Sequence, residues 1–175
     1  MKRFVKILAY ICTMVALLIL FLPKTNLYYA AEGLMQEKNI YISDEEVHDS
    51  GFSLELINAM IFFDKLELMK VENIKLSPWI VYNVVSLNTV DINEGFSDFL
   101  PEEISSLKVE HFFYNPTHIK LSGESTDSFF FGDVDILKRV LSLHLRVGAK
   151  SEKRYKVLLE KLTKEEGGYY YEYKF

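Results

Sequence analysis

The chain has one cysteine, Cys12, and it lies inside an apolar run, so the rest of the protein forms no disulfide and binds no metal through thiolates. Histidine is also scarce. His48, His111, His118 and His144 include no pair with zinc spacing backed by a third ligand. There is no G-x-S-x-G, no P-loop and no dinucleotide fingerprint. Strands and helices do not alternate as βαβ units require, which excludes a parallel sheet. Acidic residues are absent before Glu32, while three of the 20 Lys and Arg fall before residue 7. The remainder is therefore acidic and lacks the basic footprint that nucleic acid requires. These absences give the expectations of a non-enzyme with no metal, no cofactor and no nucleic-acid partner.

What is present begins with the first 22 residues. Lys2, Arg3 and Lys6 lead into an apolar run from Ile7 to Leu22 that Pro23 stops. Counted from Phe4, the segment spans roughly 28 Å as a helix at ~1.5 Å per residue, about the hydrocarbon thickness of a bilayer. Basic residues on the N-terminal side alone orient it with the N-terminus cytoplasmic and the following domain across the membrane. A cleaved signal peptide would need small residues at −3 and −1. Cutting after Ala30 or Ala31 places Tyr28 or Tyr29 at −3, so an uncleaved anchor is the better reading. Residues 1–22 are thus a membrane anchor, 23–38 a juxtamembrane helix, and 39–175 a β domain.

In the juxtamembrane segment Leu27, Ala30, Ala31 and Leu34 have helical spacing, with Asn26 as N-cap and Tyr28 and Tyr29 beside the membrane. Asp44–Gly51 reads as a solvated polar turn, its carboxylates lacking the spacing of a calcium loop. From Phe52 onward the period changes to two. Phe52, Leu54 and Leu56 open a strand, Asp64-Lys65 is a tight turn, and a phase slip near Lys70-Val71 suggests a bulge. Trp79–Ile92 follows, then a connection over 95–103 containing Leu100-Pro101. Asn115-Pro116 is the next expected turn, and His111 and His118 would face each other across it. Gly123–Ser128 is turn-like, and Asp133 and Asp135 beside Gly132 read as turn carboxylates rather than an acid–base pair. Leu141, Leu143, Leu145 and Val147 alternate most cleanly. Ser151 would cap a helix reaching about Lys164, stopped by Gly167-Gly168. A last strand carries Tyr169, Tyr171, Tyr173 and Phe175 on one face.

The expected fold is mainly β: a transmembrane helix, then an antiparallel curled sheet or half-barrel, jelly-roll-like, with one or two short helices. Several strands are apolar on both faces, which suits a sheet that curls over its own core or holds a lipid chain or a partner's strand. An outer-membrane barrel, which the terminal aromatics also suggest, is opposed by the retained anchor and by Glu72, Lys75, Lys120 and Arg146 on the would-be lipid faces.

The order of these features resembles the type II secretion system protein N (GspN) family. The residues that carry the resemblance are Pro23, Leu27 and Tyr28 after the anchor, Gly132 to Asp135 before the Leu141–Leu145 strand, and Gly168-Tyr169 before the tyrosine-rich end. This chain is similar to a short member. The resemblance implies a single-span protein of the bacterial inner membrane with a periplasmic β domain, accessory to type II protein secretion and docking on other envelope or secretion-system proteins. It also implies kinship with AsmA-like and lipopolysaccharide-transport proteins, which hold or bridge lipid on curled sheets.

Overall fold

The computed structural model describes residues 2–79, 81–96 and 103–175. Helix α1 (Lys2–Leu20) is apolar on every side and almost wholly exposed; its 18-residue window Arg3–Leu20 is only 6% buried. It is long and apolar enough to cross a membrane.

Pro23 then turns the chain into α2 (Lys24–Gln36). The helix starts on Lys24, and Pro23 occupies the cap position expected for Asn26, because its fixed φ suits a helix entry and its missing N–H leaves no donor unpaired.

The strands are β1 (Ile40–Ser43), β2 (Glu46–Asp49), β3 (Leu54–Phe63), β4 (Leu66–Pro78), β5 (Tyr82–Ile92), β6 (Glu103–Phe112), β7 (Asn115–Ser125), β8 (Ser128–Asp135), β9 (Val140–Val147), β10 (Thr163–Glu165) and β11 (Gly168–Lys174). They form one open antiparallel sheet in the order β1-β3-β4-β5-β6-β7-β8-β9-β11-β10, with β2 pairing β3 beyond β1. Short helices α3 (Ala149–Arg154) and α4 (Lys156–Leu159) interrupt the meander between β9 and β10.

Several local expectations are corrected. Glu46–Asp49 is not a loop but pairs with Ile57–Leu54 of β3. The β6–β7 hairpin turns at Phe113-Tyr114, one step before Asn115-Pro116, and Asn115 already pairs with Phe112. The helix expected from Ser151 to Lys164 breaks at Tyr155 and ends at Leu159. Thr163–Glu165 instead returns as β10, and Gly167, at φ 93°, makes the β10–β11 turn rather than a helix stop. Gly123–Ser125 and Asp133–Asp135 are strand residues. Leu100-Pro101 lies outside the described residues.

The tight turn at Asp64-Lys65 is present, both residues having positive φ as a two-residue hairpin demands. The bulge lies at Leu68, which is left over between the pairs Phe62↔Glu67 and Ile61↔Met69. The phase slip falls separately, at Glu72–Asn73. Opposite it stand Asn58 and Thr89, with φ of 59° and 51°, and Asp44 at φ 62° continues the line between β1 and β2. A left-handed residue in a strand rotates the chain about its axis and moves later side chains to the other face. Buried positions accordingly run Leu54, Leu56 then Ala59 on β3, and Val71 then Ile74 on β4. The line is a crease across five strand segments, and the core sits on it.

That core comprises Tyr28, Leu54, Leu56, Ala59, Val71, Ile74, Val90 and Ile92. Helix α2 lies on β1 and β2 and drives Tyr28 into it. Leu27, the residue before it, points outward and is half exposed. Truncating Tyr28 leaves an aromatic-sized void, whereas Leu27 buries little. We therefore expect Tyr28→Ala to cost about 3–5 kcal/mol and Leu27→Ala under ~1 kcal/mol. Denaturant unfolding of the full chain in detergent, followed by circular dichroism, measures the difference.

Candidate functional site

Register assigns the side chains of β6–β11 to two unlike faces. The inner face, continuous with the core, carries Val109 of β6, Leu121 of β7, Leu143 of β9 and Tyr171 of β11 along one row. A second row carries Leu107, Phe130, Leu145 and Tyr169. Glycine occupies the remaining place in each row: Gly132 in the first and Gly123 in the second. A Cβ on Gly123 would collide with the ring of its cross-strand partner Phe130, and one on Gly132 with Leu143. The two glycines thus let large side chains lie flat across neighbouring strands. Most of these apolar residues are half buried by one another, and among the described residues no helix packs broadly on β6–β11.

Helices α3 and α4 sit only at the end of this face that carries the β7–β8 turn. Asp127 of that turn accepts hydrogen bonds from the Ser151 N–H at 3.1 Å and from the Ser151 hydroxyl, which together hold its carboxyl below the usual range. Ser151 is therefore an anchor point inside α3 rather than its cap; the chain enters through Gly148. Tyr169 donates to Glu152 at 2.7 Å. Between the β7–β8 turn and the β10–β11 hairpin lies an open cleft of about 490 Å³, lined by charges of both signs including Asp127, Arg146 and Lys164.

The outer face is polar. Lys75 meets Glu55 across strands at 2.7 Å, and Lys108 meets Glu110 at 2.7 Å. Hydrogen bonds from Lys108 and then Tyr82 lower the Glu110 carboxyl and raise the Lys108 amine. Phe131, His144 and Tyr170 stack in sequence across β8, β9 and β11, with centroids 4.9 Å apart at each step. His118 also lies here, its Nδ1 2.7 Å from Asp133 and its Nε2 3.7 Å from Asp135.

His111 is on the inner face, in register with Ile119, and bonds the Pro116 carbonyl; it does not face His118. Sequence reading missed the carboxylate partners of His118 because they come from β8, fifteen and seventeen residues away. Asp133 and Asp135 reach His118 from one face of that strand. The Asp135 carboxylate is committed to the Lys138 N–H at 2.9 Å and its ammonium at 3.0 Å, which lower its pKa. Among the described residues no group of three or more His, Cys, Asp or Glu has the geometry to hold a metal ion.

The residues singled out in the sequence do not converge. Lys2, Arg3 and Lys6 lie in α1, and Pro23, Leu27 and Tyr28 at the α1–α2 corner. Gly132 and Asp135 belong to β8, Gly168 and Tyr169 to the start of β11. At the corner, Tyr28 donates to Glu45 at 2.7 Å; burial, then this carboxylate, raises its phenol above the ordinary range. Lys24 is buried and meets the Leu22 carbonyl at 3.3 Å and Asp49 at 3.4 Å. The acidic 44–49 segment, read as solvated, holds α2 in place. Comparison of the chain with family models, curated proteins and solved structures finds no match.

Asp135 carries a pH test. Its folded carboxyl titrates below the ordinary value of about 3.9, so its contribution is complete above that value and vanishes as pH falls through the lowered one. Asp135→Asn should lower stability near neutrality and flatten the loss of stability below about pH 4. Denaturant midpoints across pH 3–7 give the comparison.

Proposed function

We propose that this chain is a membrane-anchored, non-enzymatic envelope protein that holds a lipid acyl chain on the inner face of its open sheet. The observation that carries the reading is the row of apolar side chains on one face of β6–β11, which among the described residues α3 and α4 meet only at the β7–β8 end, on a sheet tethered directly behind a helix long and apolar enough to span a bilayer. Exposed apolar surface of this continuity serves a partner, and the apolar material within reach of such a tether is lipid. The outer face, with its Lys75–Glu55 and Lys108–Glu110 pairs, suits water. The bacterial inner membrane, with the sheet in the periplasm, is the setting that fits both this role and the family resemblance.

A second reading is the accessory role in type II protein secretion, with the sheet docking on another envelope protein. What favours it is the edge of β11. Strand β10 pairs only with Gly168–Tyr170, so Tyr171–Lys174 offers an unpaired backbone edge to a partner's strand.

Leu143 and Ser142 are neighbours in β9 on opposite faces, which separates the two readings. With the full chain in vesicles containing a photoactivatable phospholipid, cross-linking should concentrate on β6–β11 peptides. Leu143→Asp places a carboxylate in the apolar row and should cut the yield about tenfold, while Ser142→Asp should leave it unchanged. A folded Leu143→Asp protein with undiminished cross-linking rejects the lipid reading.

A further inference from the structure

The turns at the two ends of the sheet are of opposite character. At the end farther from α1 they are Asp64-Lys65, Glu94-Gly95, Thr126-Asp127 and Glu166-Gly167. Among the described residues, the large apolar side chains exposed beside them are the cross-strand pair Phe63 and Leu66 and, past the Thr126-Asp127 turn, Phe129, which lies opposite Arg146. At the end where α1 enters, each turn carries large apolar side chains. The β2–β3 loop has Phe52, the β4–β5 turn Trp79, the β6–β7 turn Phe113-Tyr114 and the β8–β9 turn Ile136-Leu137. Phe175 follows β11 at the same end.

These residues adjoin one another and the anchor. Leu20, at the end of α1, abuts Gly51, and Phe52 stacks on Trp79 with centroids 5.9 Å apart. The Phe113 N–H bonds the Val81 carbonyl, the Ile136 N–H bonds the Thr117 carbonyl, and the Phe175 N–H bonds the Arg139 carbonyl. The rim therefore continues from the anchor across the sheet from β3 to β11, roughly 34 Å at ~4.8 Å per strand. Its side chains are held out: Phe113 is 69%, Tyr114 79% and Leu137 79% exposed. Two-residue turns favour Gly, Asn and Asp, so turn geometry does not account for Phe113-Tyr114 between β6 and β7. Scattered exposed apolar residues are ordinary, but a row along one end is not. Tryptophan and tyrosine are the side chains favoured where lipid meets water, and Lys138 and Arg139 add positive charge at the same level.

We infer that this rim is a second membrane contact: the sheet stands end-on against the bilayer that α1 spans, with the turns from Phe52 to Phe175 seated in the interface. Continuity with the anchor commits the surface to that bilayer rather than to a protein. The inference goes beyond the lipid-holding reading and does not depend on it, because a seated rim would orient a docking sheet equally well. If both hold, the inner face opens directly into the leaflet.

The test uses the full chain in phosphatidylcholine–phosphatidylglycerol vesicles with acyl chains brominated near the headgroup. Trp79 is the only tryptophan and reports from the anchor side. On a Cys12→Ser background, Lys138→Cys and Thr126→Cys carry a fluorophore at the far part of the rim and at the opposite end. We expect brominated lipid to quench Trp79 and the label at 138, and aqueous iodide to quench the label at 126 several-fold more than that at 138. Tyr114→Asp with Leu137→Asp should return the label at 138 to the behaviour of 126, the sheet's circular dichroism being unchanged. A label at 138 as open to iodide as that at 126 overturns the inference, even if Trp79 is quenched, because Trp79 lies beside the anchor. Lipid quenching at 138 that survives the double substitution also overturns it. Neither result bears on cross-linking at Leu143, so the failure of one proposal is distinguishable from failure of the other.

Discussion

The ammonium group of Lys24 is almost fully withdrawn from water and is answered by the Asp49 carboxylate and the Leu22 carbonyl. An isolated buried charge is costly, so the pair holds its two elements in one relation: breaking it would strand the ammonium. One partner opens α2 and the other ends β2. Everything at the N-terminal side follows from that clamp. Tyr28 is presented to the core one turn later, Glu45 receives its hydroxyl, and α1 is delivered to one particular end of the strands. Without the clamp, α2, which covers the crease, and the long apolar α1 before it would both be free to swing.

Because α2 is short, its cover is local. The strands around the crease gain a fully buried core, including Ala59 and Val71, while β6–β11 keep an apolar face that is only half sheltered by its own side chains. Gly123 and Gly132 spread Phe130 and Leu143 across the strands rather than upright. The surface is thereby broad and smooth instead of knobbed, which suits a flexible chain lying along it better than a rigid, interlocking partner.

Much of this architecture was legible in the sequence. The long apolar helix α1, α2, and the long alternating strands announce themselves through period and turn chemistry, as Leu141–Val147 and Asp64-Lys65 illustrate. What was missed depends on partners outside each segment's own pattern. Glu46–Asp49 has no apolar alternation to mark it, and it is a strand because β3 supplies the other half of its ladder. Thr163–Glu165 continues a helical pattern until Gly167 folds it back. The His118 carboxylates and the Lys24–Asp49 pair are invisible locally for the same reason. Several strands were expected to be apolar on both faces, whereas β6–β11 gather their aliphatic side chains on the inner one, and period alone does not say which part of it a helix will cover.

The crease has a further consequence for how the sheet finds its pairing. In an ordinary two-faced strand, a slip of two residues returns each side chain to its proper face, so such errors are weakly penalised. Here Asp44, Asn58 and Thr89 fold the backbone at one level. Shifted by two, a bent place would lie against a straight one, and the inward and outward series would disagree over the interval between them. Like corrugated plates, these strands nest only when their folds coincide, so local backbone geometry proofreads an alignment that apolar content alone would leave ambiguous.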